Sequence, residues 1–124
     1  MTPDPRYILL FVDNPAASAA FYAGLLQAAP VENSPTFALF VSPAGLKLGL
    51  WSRHTAEPAP LAAGGGAEVG FHVGSKAEVD ALHSRWAAQG AAILQTPTEM
   101  DFGYTFAAAD PDKHRLRVFC PASR

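Results

Sequence analysis

Two side chains able to carry a proton share one short run, Glu68-Val69-Gly70-Phe71-His72. In an extended chain, alternation turns Glu68, Gly70 and His72 to one face and Val69 and Phe71 to the other. An imidazole titrates near neutral pH, so His72 beside a carboxylate could do general acid–base work. That work needs a tuned pKa and a positioned substrate, and a hydrogen-bonded wall histidine is the plainer reading. His54, His83 and His114 read as surface or cap residues, in a connector, on a helix and after a turn. Cys120 lies near a strand end with no obvious activating partner, and reads as an inert thiol. There is no Ser-His-Asp order and no nucleophile elbow. No catalytic residue is therefore assigned.

A second kind of chemistry is stacking. In Lys47-Leu48-Gly49-Leu50-Trp51, Gly49 precedes Trp51 on the same strand face. An indole beside a missing side chain offers what a planar ring needs. Tyr7, Phe11, Phe37, Phe102, Tyr104 and Phe106 are further wall candidates, and several of them must be ordinary core. Trp86 shares a helical register with Val79 and Leu82 and is read as core.

These residues are positioned by a repeat. Shifting the chain by 61 residues lays Tyr7–Val12 on Glu68–Val73, and each run is followed by a helix start. Asn14 and Ser75 are good N-caps, Pro15 suits a first helical position, and Ser75-Lys76-Ala77-Glu78 fits a capping box. A shift of 68 lays Ser42–Trp51 on Asp110–Phe119, each a proline turn and then a strand. The second copy thus carries about seven extra residues, expected around Gln95 to Asp101. The reading is two βαβββ modules, residues 1–52 and 67–124, in one domain spanning 1–124 and joined by a Pro- and Gly-rich connector at 53–66. Expected strands are 6–13, 30–33, 36–42, 46–52, 67–73, 92–96, 102–109 and 114–120, with helices at 15–27 and 76–89. Tyr7, Leu9 and Phe11, like Glu68, Gly70 and His72, should face away from the helices. The fold class is α+β.

Composition limits the function classes. Hydrophobic residues make up 49% and charged residues 16%, as in a folded globule. A formal charge of −2 gives no basic footprint for nucleic acid. No apolar run approaches the roughly 20 residues that span a bilayer. A single cysteine, and an opening Met-Thr-Pro-Asp-Pro without a basic start or apolar stretch, give the expectation of a cytoplasmic protein.

The run Val12-Asp13-Asn14-Pro15-Ala16-Ala17-Ser18-Ala19-Ala20-Phe21-Tyr22 and the turn Asp110-Pro111-Asp112-Lys113-His114, on a duplicated βαβββ plan, resemble the vicinal oxygen chelate superfamily. That superfamily holds glyoxalases, extradiol dioxygenases and bleomycin-resistance proteins. Lys113 stands where the family usually has glycine. Leu48–Ser52, Glu57-Pro58, Asp101–Phe106 and Arg115–Val118 are similar to segments of its metal-free antibiotic-binding members, in particular phenazine-resistance proteins. Tyr104 departs from the Arg expected there. The resemblance implies curved sheets lining a cavity, helices outside, and a homodimer whose pockets draw on both chains.

Metal-using members carry His, Glu or Gln ligands at positions that correspond to Tyr7, Gly49, Glu68 and Arg117. Only Glu68 is a good ligand, and the Arg117 cation would repel a metal ion. The expectation is no metal and no other cofactor. Arg117 is read either as paired with Glu68 or as solvated at a rim. The leading reading is metal-independent sequestration of a planar aromatic molecule such as an antibiotic, by Trp51, Tyr7, Glu68, His72, Tyr104, Arg117 and Phe37. The alternatives are a metal-dependent lyase or dioxygenase of the glyoxalase type, and metal-free catalysis through His72 or Glu68.

Overall fold

The hexapeptide Tyr7–Val12 forms strand β1, and Asn14 then caps helix α1, Pro15–Leu26, by accepting from the Ala17 amide at 3.2 Å. The computed structural model describes residues 1–122 and divides the chain into two compact units, Met1–Ala63 and Gly64–Arg124. The first unit continues with β2 (Glu32–Asn33), β3 (Phe37–Val41) and β4 (Lys47–Ser52). The second contains β5 (Glu68–His72), α2 (Lys76–Ala88), β6 (Ala92–Met100), β7 (Gly103–Ala109) and β8 (Arg115–Pro121). Each unit is thus βαβββ, with sheet orders β1-β4-β3-β2 and β5-β8-β7-β6.

Strand pairing carries the repeat down to single residues. β1 runs parallel to β4 with Tyr7 opposite Lys47, Leu9 opposite Gly49 and Phe11 opposite Trp51. β5 runs parallel to β8 with Glu68 opposite Arg115, Gly70 opposite Arg117 and His72 opposite Phe119. The second set is the first displaced by the two sequence shifts. The antiparallel pairs agree as well: Phe37 opposite Trp51 corresponds to Thr105 opposite Phe119. Because a one-residue slip would exchange the two faces of a strand, this shared register fixes which side chains share a surface.

The extra residues of the second copy do not form a loop. They lengthen β6 well beyond the 92–96 expected, through register shifts between Ile93 and Gln95 and between Gln95 and Thr98. β6 is an edge strand, so Pro97 removes no hydrogen bond that a neighbour requires. The connector also differs from a fully exposed link. Ala56 is buried, and a Cβ on Gly64 would stand 2.6 Å from the His114 amide nitrogen and 2.7 Å from the Asp112 carbonyl oxygen. Only glycine fits against that turn.

In the first unit, Val12, Leu50, Ala38 and Phe40 bury themselves with Tyr22 and Leu25 of α1. In the second, Trp86 of α2 meets Phe71 and Phe106 edge to face, each at 5.5 Å. His83, expected at the surface, is half-buried with its ring 5.4 Å from that of Phe106. Ser75 caps α2 by accepting from the Glu78 amide at 3.2 Å. The Glu78 carboxylate accepts from Gly74 at 2.7 Å, one residue earlier than a standard capping box.

Candidate functional site

Alternation leaves each sheet with a face turned away from its helix, and the two faces differ in chemistry. On the first sheet that face carries Tyr7, Leu9 and Phe11 of β1, Phe37 of β3, and Lys47, Gly49 and Trp51 of β4. Trp51 sits between register partners Phe11 and Phe37, its ring 5.9 Å from that of Phe11 and tilted by 36°. Tyr7 is 53% exposed, and the Lys47 ammonium lies 5.0 Å from its ring centroid. The space beside Gly49 is not free for a ligand, contrary to the expectation for that strand. A Cβ there would come within 2.7 Å of Leu9 Cδ2 and 2.9 Å of Phe37 Cζ. The missing side chain makes room for Leu9 and Phe37, which brings Phe37 onto the aromatic surface beside Trp51.

On the second sheet the corresponding face is polar. Arg117 grips Glu68 as a fork, Nε donating to Oε1 at 2.6 Å and Nη2 to Oε2 at 2.9 Å. Its remaining terminal nitrogen, Nη1, donates to Gln95 Oε1 at 3.0 Å and to Thr105 Oγ1 at 3.3 Å. Arg115 donates to Glu68 Oε2 through Nε at 2.9 Å, and its Nη2 lies 2.7 Å from the same oxygen. Bidentate guanidinium–carboxylate pairing of this kind is strong and directional. Hydrogen bonds from Arg117 are the main reason the Glu68 carboxyl is held below the usual carboxylate range, with partial burial opposing them. The same pairing raises Arg117. Of the two readings of Arg117, the structure has the pair: its side chain is 17% exposed and that of Glu68 30%.

Aromatic groups border this charged cluster. Phe119 meets His72 at 5.7 Å and Phe102 at 6.2 Å, both edge to face, and the Arg117 guanidinium lies 5.9 Å from the Phe102 centroid. Phe119 was not among the sequence candidates. Its equivalence to Trp51 under the 68-residue shift is the signal that could have found it.

Tyr104 is not brought together with the other candidates. It pairs with Cys120 and Glu99, on the helix side of the sheet, where its hydroxyl donates to Asp80 Oδ1 at 2.7 Å. Alternation decides this: Thr105 shares a face with Phe119, so Tyr104 and Phe106 must point the other way. Phe106 is fully buried core. A separate groove of about 500 Å³ runs from His72 and Gly74 to Leu82 and Arg85 of α2.

The sequence profile of the Glyoxalase/Bleomycin resistance protein/Dioxygenase superfamily matches residues 5–118. The chain belongs to this superfamily. The phenazine antibiotic resistance protein EhpR of Enterobacter agglomerans is 29% identical over 123 residues, covering 97% of this chain and 93% of EhpR. The solution structure of Agrobacterium tumefaciens protein ATC0852 is 55% identical, with a TM-score of 0.90 over 98% of this chain and all of that one. A glyoxalase-related enzyme from Fulvimarina pelagi shares the fold at 23% identity, with a TM-score of 0.85 over 96% of this chain and 88% of its own.

Metal-using members of the superfamily set a test for the residues at the corresponding places. In the first unit Gly49 offers no donor; in the second, both oxygens of Glu68 are engaged by arginines and Arg117 brings a permanent cation. Among the described residues no group of three or more His, Cys, Asp or Glu side chains could hold a metal ion. Neither unit's residues at those places fit a divalent metal, which needs several lone pairs converging on one point.

Proposed function

We propose that the chain binds a planar aromatic small molecule, of the antibiotic class that its resistance-protein relative is named for, without using a metal ion. The observation that carries this reading is the Arg117–Glu68–Arg115 cluster, which fills a metal-ligand position with a bonded ion pair. Trp51, flanked by Phe11 and Phe37, supplies a stacking surface, and likeness to EhpR gives a ligand class to try first. Tyr7 and His72 border their respective faces as wall residues, and Tyr104 is dropped from the binding set. The same reading takes the two modules as one functional domain, acting as a cytoplasmic homodimer.

Stacking on an indole adds about 0.5–1.5 kcal/mol to the apolar burial of a planar ligand. Titration of phenazine against tryptophan emission tests the reading. Emission should be quenched saturably in the native chain, while Trp51→Phe, which retains only the buried Trp86, should lose the response. Competition against a labelled phenazine should then show weaker binding by Trp51→Ala. No saturable response, together with no effect of Trp51→Ala on competition, would remove the basis for the proposal.

A further inference from the structure

The charged cluster on the second sheet does not balance. Arg115 and Arg117 bring two positive charges, and the carboxylate between them, Glu68, brings one negative charge. Arg117 spends its three nitrogens on Glu68, Gln95 and Thr105. Among the described residues Arg115 reaches only Glu68, through Nε and Nη2, and its Nη1 meets no acceptor there. Its side chain is 40% exposed, the most open of the three. The adjoining ring surface, Phe119 between His72 and Phe102, begins one face-step along β8 from Arg117. Arg115 itself stands two face-steps, about 13 Å, from Phe119 at the backbone. Its guanidinium, however, shares Glu68 Oε2 with that of Arg117, which lies 5.9 Å from the Phe102 centroid, so a fused three-ring system bearing a substituent spans from one to the other.

Resting on the aromatic-ligand reading, we propose that this site selects an anionic member of the class, a planar aromatic carboxylate. Its acid group takes the spare donors of Arg115, and its rings lie against Phe119 and Phe102. A carboxylate presents two acceptor oxygens to a guanidinium edge and cancels the cluster's excess charge. A cationic aromatic would add to that excess, and a neutral one would leave it as it is. Glu68 sets the limit of this attraction, because it holds both arginines in place while neutralising only one.

Three probes of one shape separate the possibilities: phenazine, phenazine-1-carboxylate and an N-methylphenazinium cation. They are titrated against the native chain and against Arg115→Gln, at low and at high salt. The carboxylate should bind about tenfold or more tighter than phenazine, with the advantage shrinking at high salt. In Arg115→Gln that advantage should be lost while phenazine itself binds as before. Circular dichroism and urea midpoints of Arg115→Gln confirm that it is folded; should it fail, Arg115→Lys, which keeps the charge but loses the fork, should retain only part of the preference. Equal binding of phenazine and the carboxylate overturns the charge selection and leaves aromatic binding standing. Tighter binding of the cation overturns it too. If none of the three binds, the aromatic-ligand reading itself falls.

Discussion

Replacing Arg117 by Met keeps much of its length and removes its charge, so the cost measures the lock on Glu68. Truncating one partner of a buried pair costs about 3–5 kcal/mol. Exposed pairs contribute only about 0.2–1 kcal/mol. Here the side chains are 17% and 30% exposed, and Arg115 remains to share the carboxylate. Gln95 loses a donor, whereas Thr105 keeps its 2.7 Å bond to the Val118 carbonyl. A loss of about 2 kcal/mol is expected, or a fall in Tm of about 8 °C for a chain of this length. Glu68→Gln should cost about 1–2 kcal/mol, because it leaves two guanidinium groups facing each other without their anion. Urea unfolding of both single variants and the double variant gives the coupling, expected at about 1 kcal/mol or more. Additivity within about 0.5 kcal/mol would refute the interaction as drawn. pH gives a second reading of the same cycle. The folded-state pKa of Glu68 is depressed, so its stabilisation is fully present above the ordinary carboxylate value and disappears as pH falls through the depressed one. The gap between the native chain and Glu68→Gln should therefore be flat near neutrality and close only in acid.

Four further substitutions probe the frame and the aromatic face. Gly103 has φ +146°, and a Cβ there would stand 2.1 Å from the Cys120 carbonyl oxygen, so Gly103→Ala should lose about 2–4 kcal/mol in urea unfolding. Gly70→Ala is its control, since the new methyl meets only the Phe119 ring edge at 3.4 Å, and should change stability by less than about 1 kcal/mol. Lys113 is in the left-handed region at φ 69°, so Lys113→Gly should raise stability by about 0.5–1 kcal/mol, read as a higher Tm. Trp51→Ala should weaken phenazine binding by about tenfold or more while leaving the fold intact by circular dichroism.

Most of the fold was legible because each element carries its own signals. The caps Asn14 and Ser75 hold the helix starts where their side chains predict. The two shifts anticipate the registers, since Tyr7 and Glu68 take equivalent partners in Lys47 and Arg115. The full length of β6 was hidden, because Pro97 argues against a strand wherever edge position is unknown. For the site, face assignment succeeded where strands have clean alternation, as at Tyr7, Trp51, Glu68 and His72. It failed at Tyr104, because Phe102, Tyr104 and Phe106 are all aromatic and composition cannot say which parity faces the helix. The hydrogen bond to Asp80, 24 residues away, settles it. Gly49 was misread for a related reason: an absent side chain does not show which neighbours will fill its space.

The duplication also bears on how binding chemistry can arise without rebuilding a backbone. Outside the lengthened edge strand β6, the two modules keep matching registers and have diverged in what they project from equivalent places. Tyr7, Gly49, Phe11 and Trp51 in the first correspond to Glu68, Arg117, His72 and Phe119 in the second. Ring surface on the first copy is answered by charge and a smaller aromatic ledge on the second. Placing a salt bridge where relatives use ligands costs little in the sheet, because Arg117 and Glu68 satisfy each other and the neighbouring Gln95 and Thr105. Reversing it demands more than one change. A ligand restored at Arg117 alone would leave Glu68 held by Arg115. One introduced at Gly49 would first have to push aside the ends of the Leu9 and Phe37 side chains and would still lack converging partners. Single substitutions to His at either position should therefore fail to bind zinc or nickel stoichiometrically in equilibrium dialysis, and tight binding by either one would show that the lock is weaker than its geometry implies.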